Sequence, residues 1–233
     1  MKKSRPKKTR TGGRVATTRH IAPIRAIAVG MPKRNAPAGW KWSALVEVAR
    51  MESGHTPSRR HPEYWGGDVP WISISDAKDH HGKIIHNTRE QTNSLGIANS
   101  SARILPAHTV CLSRTASVGY VTITGRPMAT SQDFVNWICS KDLLPRFLQY
   151  LLLAEGSDLL RFSSGSVHQT IYYPEAKAFH ICFPPVEEQH RIVALLDETV
   201  VAAAAAKASA ERKLAALDEL KVSLLHQAFT GQL

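Results

Sequence analysis

The sequence predicts an α+β fold: a strand-rich domain followed by one long α-helix that forms a coiled coil with a helix of another chain. Three observations carry this. Between 40 and 185, short alternations of apolar and polar residues recur between clusters of Gly, Asn, Ser and Pro, as half-buried strands do. From 186 to 230 neither Pro nor Gly occurs, and the strong helix formers Ala, Leu, Glu, Lys and Arg dominate. Along that run, apolar residues return at alternating steps of four and three, which is a heptad seam.

Residues 1–39 mix Lys, Arg, Thr, Pro and Gly with little periodicity and read as a basic, disordered tail. Such a tail either grips phosphates or is simply solvated, and an over-long reading frame is a third reading. Order begins at 40, and the domain extends to 185. "GWKWSALVEVARMESG" (39–54) reads as a short amphipathic element ending at Gly54. Strands are expected in "VPWISISD" (69–76), "HTVCLSRT" (108–115), "VGYVTIT" (118–124), "DFVNWICS" (133–140) and "AFHICFPP" (178–185). Between them, 142–163 reads as a helix with Leu148, Leu151, Leu152 and Leu159 on one stripe and a break near Gly156.

Pro185 followed by Glu187 and Glu188 suits a helix start, because acids favour the positive end of the helix dipole. A helix over 186–229 would be roughly 65 Å long at 1.5 Å per residue, leaving 230–233 as a C-terminal end. Its seam runs through Leu196, Val200, Ala203, Ala210, Leu214, Leu217, Leu224 and Ala228, with Lys207 and Lys221 in the gaps. A helix of that length outreaches the domain it leaves, so its far half needs a partner helix.

The net charge of +11 is unevenly placed. Residues 1–46 hold 12 Lys/Arg and no Asp/Glu, whereas 47–185 hold 13 basic and 12 acidic residues and 186–233 hold 5 and 7. The folded part is therefore close to neutral, and the high pI alone does not make it a nucleic-acid binder. Cys111, Cys139 and Cys182 are odd in number and far apart, which argues against disulfides and zinc and for a reducing cytoplasm. No run is long and apolar enough for a membrane span.

No catalytic motif is present: GxSxG, HExxH, GxxxxGK[ST] and GxGxxG are all missing. His80-His81 lacks the three or four convergent ligands a metal needs. In "VEEQH" (186–190), Glu187 and His190 read as cap and surface, and Asp68 and Asp76 flank a strand without a matched acid–base partner. "FPP" (183–185) lacks the polar and aromatic neighbours of an amino-methyltransferase motif. No catalytic residue and no metal ligand is expected.

The assembled segments resemble a known family. "GHTPSRRHPEYWGGDVPWISISD" (54–76) resembles the opening of a target-recognition domain in the specificity subunits of type I restriction–modification systems. "ILPAHTVCLSRTASVGYVTIT" (104–124), "ATSQDF" (129–134), "SSGSVHQTIYYPEAKAFHICFPPVEEQHRIV" (163–193) and "LDELKVSLLHQAFTGQL" (217–233) match further family segments in the same order. Asp133 stands where a small residue is usual. The resemblance implies a non-catalytic subunit that reads double-stranded DNA and positions adenine-N6 methyltransferase subunits, which bind S-adenosylmethionine, together with nuclease subunits. It also implies two recognition domains held apart by two antiparallel helices. This sequence has one of each, so it resembles a half subunit that pairs as a homodimer or with a different half subunit.

Arg, Lys, Asn and Gln are the usual readers of bases and phosphates. The DNA-binding candidates are Arg59, Arg60, Lys78, Lys83, Asn87, Arg89, Arg114, Ser131, Gln132, Ser166, His168 and Gln169. Intradomain hydrogen bonding is the competing reading for Arg114, Ser131 and Gln132, because their motifs also build turns. Residues shared across a family whose members read different sites cannot distinguish those sites. Specificity is therefore expected in 77–103, the stretch that matches the family least. Two other readings stand beside this one: a coiled-coil scaffold without DNA contact, and a truncated remnant of a full-length subunit.

Overall fold

The computed structural model describes residues 25–115, 117–165 and 169–233. The expected tail before 25 lies outside them, as do Ser166 and His168. Within the rest of that expected tail, Ile27–Val29 forms a strand, β1. Ile27 is buried and pairs opposite Ile181, so a three-residue apolar run is ordered by an edge already present.

The single amphipathic element expected over 39–54 is instead β2 (Lys41–Ala44), a one-turn helix α1 (Leu45–Val48) and β3 (Ala49–Ser53). Leu45 and Val48 turn inward, and the extended backbones of Ala44 and Ala49 stop the helix on either side. Next come β4 (Trp65–Ile72) and α2 (Ile74–Asp79). The strand expected to reach 76 ends early because Ser73 and Asp76 form a capping box. Asp76 N–H donates to Ser73 Oγ while Ser73 N–H donates to Asp76 Oδ2 at 2.9 Å. Short elements follow: β5 (Ile84–Ile85), β6 (Glu90–Thr92) and α3 (Ser94–Ala98).

Among the later elements, β7 (Val110–Ser113) and β8 (Val121–Thr124) fall where the alternation placed them; β9 (Ala129–Thr130), which the alternation did not give, is a two-residue strand held by β4; and β10 (Phe134–Cys139) again falls where expected. Helix α4 (Pro145–Glu155) does break at Gly156, whose φ of +50° favours glycine, and a 3-10 segment continues to Phe162. Then come α5 (Tyr173–Lys177), β11 (Phe179–Phe183) and α6 (Val186–Thr230).

The strands form three sheets, ordered β1-β11-β2, β3-β10-β7-β8-β5 and β6-β4-β9. The central sheet is antiparallel except for its β5–β8 pair. Trp137, Leu148, Leu152, Phe179 and Phe183 lie in the main core between that sheet, α4 and β11. A smaller core gathers Ile72, Ala77, Ile85, Met128 and Phe134 under α2.

The root of α6 is fixed by polar groups. Gln189 is fully buried, accepts a bond from Leu144 N–H at 2.9 Å and donates to the carbonyls of Asp142 and Pro184 at 3.0 and 2.9 Å. About two helical turns further out, Arg146 of α4 holds Asp197 at 2.6 Å, and Tyr150 donates to the same carboxylate oxygen. Burial opposes ionisation of Asp197, but the bonds from Tyr150 and Arg146 outweigh it and keep the carboxyl below its usual range. Beyond Asp197 the helix leaves the domain: Leu214 and Leu217 are each 62 % exposed.

Candidate nucleic-acid interface

Strand pairing brings distant segments to one edge of the domain. β10 begins at Phe134 opposite Ser113, the last residue of β7, and its next residue, Val135, faces Ser53, the last of β3. β4 and β9 run parallel and end together at Ile72 and Thr130. The chain leaving these ends, 54–61, 114–115, 117–120 and 131–133, therefore converges on one side. Gly54 is glycine by necessity there, since a Cβ would sit 1.9 Å from the Ser131 carbonyl oxygen.

Arg114 knits this edge together. Its guanidinium lies 4.1 Å from the Tyr173 ring centroid and donates to the Gln132 carbonyl at 2.9 Å. Its backbone N–H bonds Asp133 O, and its carbonyl accepts from Ile171 N–H. The Gln132 side chain is exposed and accepts a hydrogen bond from the Thr56 hydroxyl. Thr115 and Thr170 share a hydroxyl bond of 2.8 Å, and Thr170 bridges Ser164, which ties Ser164 and Thr170 to the same edge. Gln169, next to Thr170, is also exposed.

Ser131 is 2 % exposed, and its hydroxyl bonds Asp133 Oδ2 at 3.0 Å, so its role is to hold the turn. Arg59 is similarly engaged. It stacks on Trp65 at 3.8 Å and makes a two-pronged ion pair with Glu90, whose hydrogen bonds raise the Arg59 pKa and lower that of Glu90. That pair clamps the entry loop onto the 77–103 stretch, so the two surfaces adjoin. Arg60 beside it is exposed.

Within 77–103, Arg89 pairs with Asp79 at 2.6 Å while remaining 63 % exposed. Lys78, Lys83 and Asn87 are exposed around it. Asp76 is not available for acid–base chemistry: it caps α2 and accepts the Arg89 backbone N–H at 3.0 Å. The described residues contain no cluster of three or more His, Cys, Asp or Glu side chains placed to hold a metal. Burial pushes the Cys139 thiol up to about 12 and the Cys111 thiol higher still, which makes both unreactive.

Sequence reasoning missed Thr56, Thr170 and Tyr173 as members of this edge. The run "TIYYP" carried a signal for the last two, since adjacent tyrosines after a Ser/Gly loop mark a packing and stacking site.

Residues 37–206 match the family described as type I restriction modification DNA specificity domain. The chain belongs to this family. The specificity domain is 31 % identical over 162 residues to the type I restriction enzyme MjaIX specificity subunit of Methanocaldococcus jannaschii, a match covering 69 % of this chain and 38 % of that protein. It is 34 % identical to the HindI specificity subunit of Haemophilus influenzae over 52 % of this chain and 26 % of that one. Among solved structures, the HsdS subunit from Thermoanaerobacter tengcongensis shares the fold, with a TM-score of 0.64 and 23 % identity over 87 % of this chain and 47 % of that chain. A chain of a type I R-M system, solved to describe complex assembly and conformational transition, superposes with a TM-score of 0.72 at 24 % identity, covering 87 % of this chain and 48 % of that one. The specificity domain thus spans less than half the length of these relatives.

Proposed function

We propose that this chain reads one half of a bipartite site in double-stranded DNA. In this reading it has no catalysis of its own. It positions adenine-N6 methyltransferase subunits, which bring S-adenosylmethionine, and nuclease subunits where the system has them, all in the cytoplasm. One observation carries the reading: segments of the family match that are far apart in sequence, at 56–60, 114–115 and 131–133, meet on a single strand-end edge beside the polar 77–103 surface. Phosphate contacts from the edge would set register, and base contacts from 77–103 would set specificity.

The exposed seam of α6 supports the second half of the proposal. A second copy supplies the partner helix, antiparallel to the first, and the pair reads two half-sites at a spacing set by helix length. The test is base-resolution mapping of adenine methylation in the native host with and without the gene. The expected result is loss of one bipartite motif, and an unchanged methylation pattern would sink the reading. Gel shift on duplex DNA, with and without the methyltransferase subunit, separates it from a scaffold that makes no DNA contact.

A further inference from the structure

Residues 25–36 precede the family match at 37, yet they are built into the fold. β1 extends the small sheet by pairing with β11, and its position is enforced by side chains. Glu155, whose side chain is fully buried, accepts Ile27 N–H at 2.9 Å, and Arg161 donates to the Ile27 carbonyl at 3.0 Å while pairing with Glu155 at 2.6 Å. A buried carboxylate and a guanidinium thus hold both polar groups of one backbone residue. Against β1 lies a groove of about 420 Å³ whose walls include Arg25, Pro32, Arg34, Arg161 and Phe162.

The charge of this groove is one-sided. From 25 to 46 the sequence carries Arg25, Lys33, Arg34 and Lys41 and no acid. Glu155 and Asp158 face Arg161. Among the described residues, no carboxylate pairs with Arg25 or Arg34, and both are exposed. Arg34 is held in place by Trp42, whose ring centroid is 4.9 Å from its guanidinium. The wall at Phe162 continues directly into Ser164, which bridges Thr170 at the recognition edge.

We infer that the β1 groove is a second DNA-backbone contact, in which Arg25 and Arg34 bind phosphates of the duplex held at the recognition edge. It rests on the DNA-reading function proposed above. It adds a sequence-independent grip outside the family-matched region, because guanidiniums on a phosphate carry no base information.

The test is salt-dependent binding of the full chain to a random-sequence duplex. Each phosphate contact contributes about 0.9 to the slope of log K against log salt, so the Arg25→Gln, Arg34→Gln double variant should lose about 1.8 of slope. Its affinity should fall by one common factor on random and target duplexes, with the preference between them kept, and the Arg25→Lys, Arg34→Lys variant should retain most of the slope. Arg161 is left intact because it holds β1. Unchanged slope in the glutamine variant, with normal duplex binding by the parent, overturns the groove and leaves the recognition edge standing. A parent that binds no duplex either alone or with the methyltransferase subunit overturns both. A change in sequence preference rather than slope assigns the arginines to base reading and also overturns the phosphate grip.

Discussion

At the scale of single residues, side chains that hold the strand-end edge differ from those left exposed beside it, which are the proposed DNA contacts. Arg114 holds the edge through Tyr173 and the Gln132 carbonyl. Its removal should therefore weaken target and random duplex by a similar factor. Arg89 and Asn87 lie in 77–103, the stretch proposed to set specificity, and Arg89 is pre-aligned by Asp79. Arg89→Ala should cost about 1–3 kcal/mol on the target and relax the preference at one base position, read out as a degenerate position in the methylated motif. If Arg114→Ala relaxed the motif and Arg89→Ala did not, the division of labour would be reversed. His81 gives a prediction that needs no DNA. Its Nδ1 accepts the Val121 N–H at 3.1 Å, and burial lowers its pKa below the ordinary value near 6.5. The unfolded chain then takes up the proton first, so this contribution to stability is complete above about pH 6.5 and is lost as pH falls toward the folded value. NMR titration should place His81 below its unfolded pKa, and His81→Asn should flatten that part of the stability–pH curve.

At the scale of elements, the long helix and the later strands were legible because their signals are local. A Pro-free, Gly-free run of helix formers gave α6 within one residue at its C-terminal end, and alternation placed β7, β8, β10 and β11. The errors came where a few side chains overrode a pattern. The Ser73–Asp76 box converted the end of a strand into α2, and Glu155, which is 128 residues from Ile27, ordered β1 inside what reads as a tail. The site was legible only as a list of residue types, since the meeting of Thr56 with Gln132 and of Thr115 with Thr170 depends on strand order. Gln189 shows how a surface-looking polar residue becomes an anchor. It sits at the start of α6, and its amide serves three backbone groups that have no other way to be satisfied there. Gln189→Leu keeps the volume but strands those groups, at about 2–3 kcal/mol in total. For a chain of this size that is a Tm lower by roughly 4–12 °C, measured by calorimetry, with far-UV helicity retained. A Tm within a degree of the parent would show that α6 is rooted elsewhere.

At the scale of the whole molecule, the domain and its helix are built on different logics. The domain satisfies itself around one large core, whereas α6 extends its 45 residues over about 67 Å at 1.5 Å per residue, most of it beyond any contact. Among the described residues the next longest α-helix, α4, has 11 residues and is already packed in the core, so it cannot cover the seam. Val200, Leu214, Leu217 and Leu224 remain between 45 and 62 % exposed, a row of leucines that solvated helices avoid. Alanines at 203 and 210, around the middle of the helix, suit close backbone approach there, and leucines at 217 and 224 suit wider packing toward the far end. Leu217→Glu together with Leu224→Glu should then leave a monomer in light scattering, because each lost leucine removes up to about 1.5–3 kcal/mol of burial and adds a charge to the seam. The domain's own melting transition should be unchanged, since neither residue touches it. A variant that still runs at twice the monomer mass would place the interface off this seam, and a parent that is monomeric until a different specificity chain is added would assign the seam to a heterologous partner. The same variant fixes what the helix is for. If the pair sets the distance between two half-sites, breaking it should abolish methylation of the bipartite motif while duplex binding by the single domain survives at lower affinity.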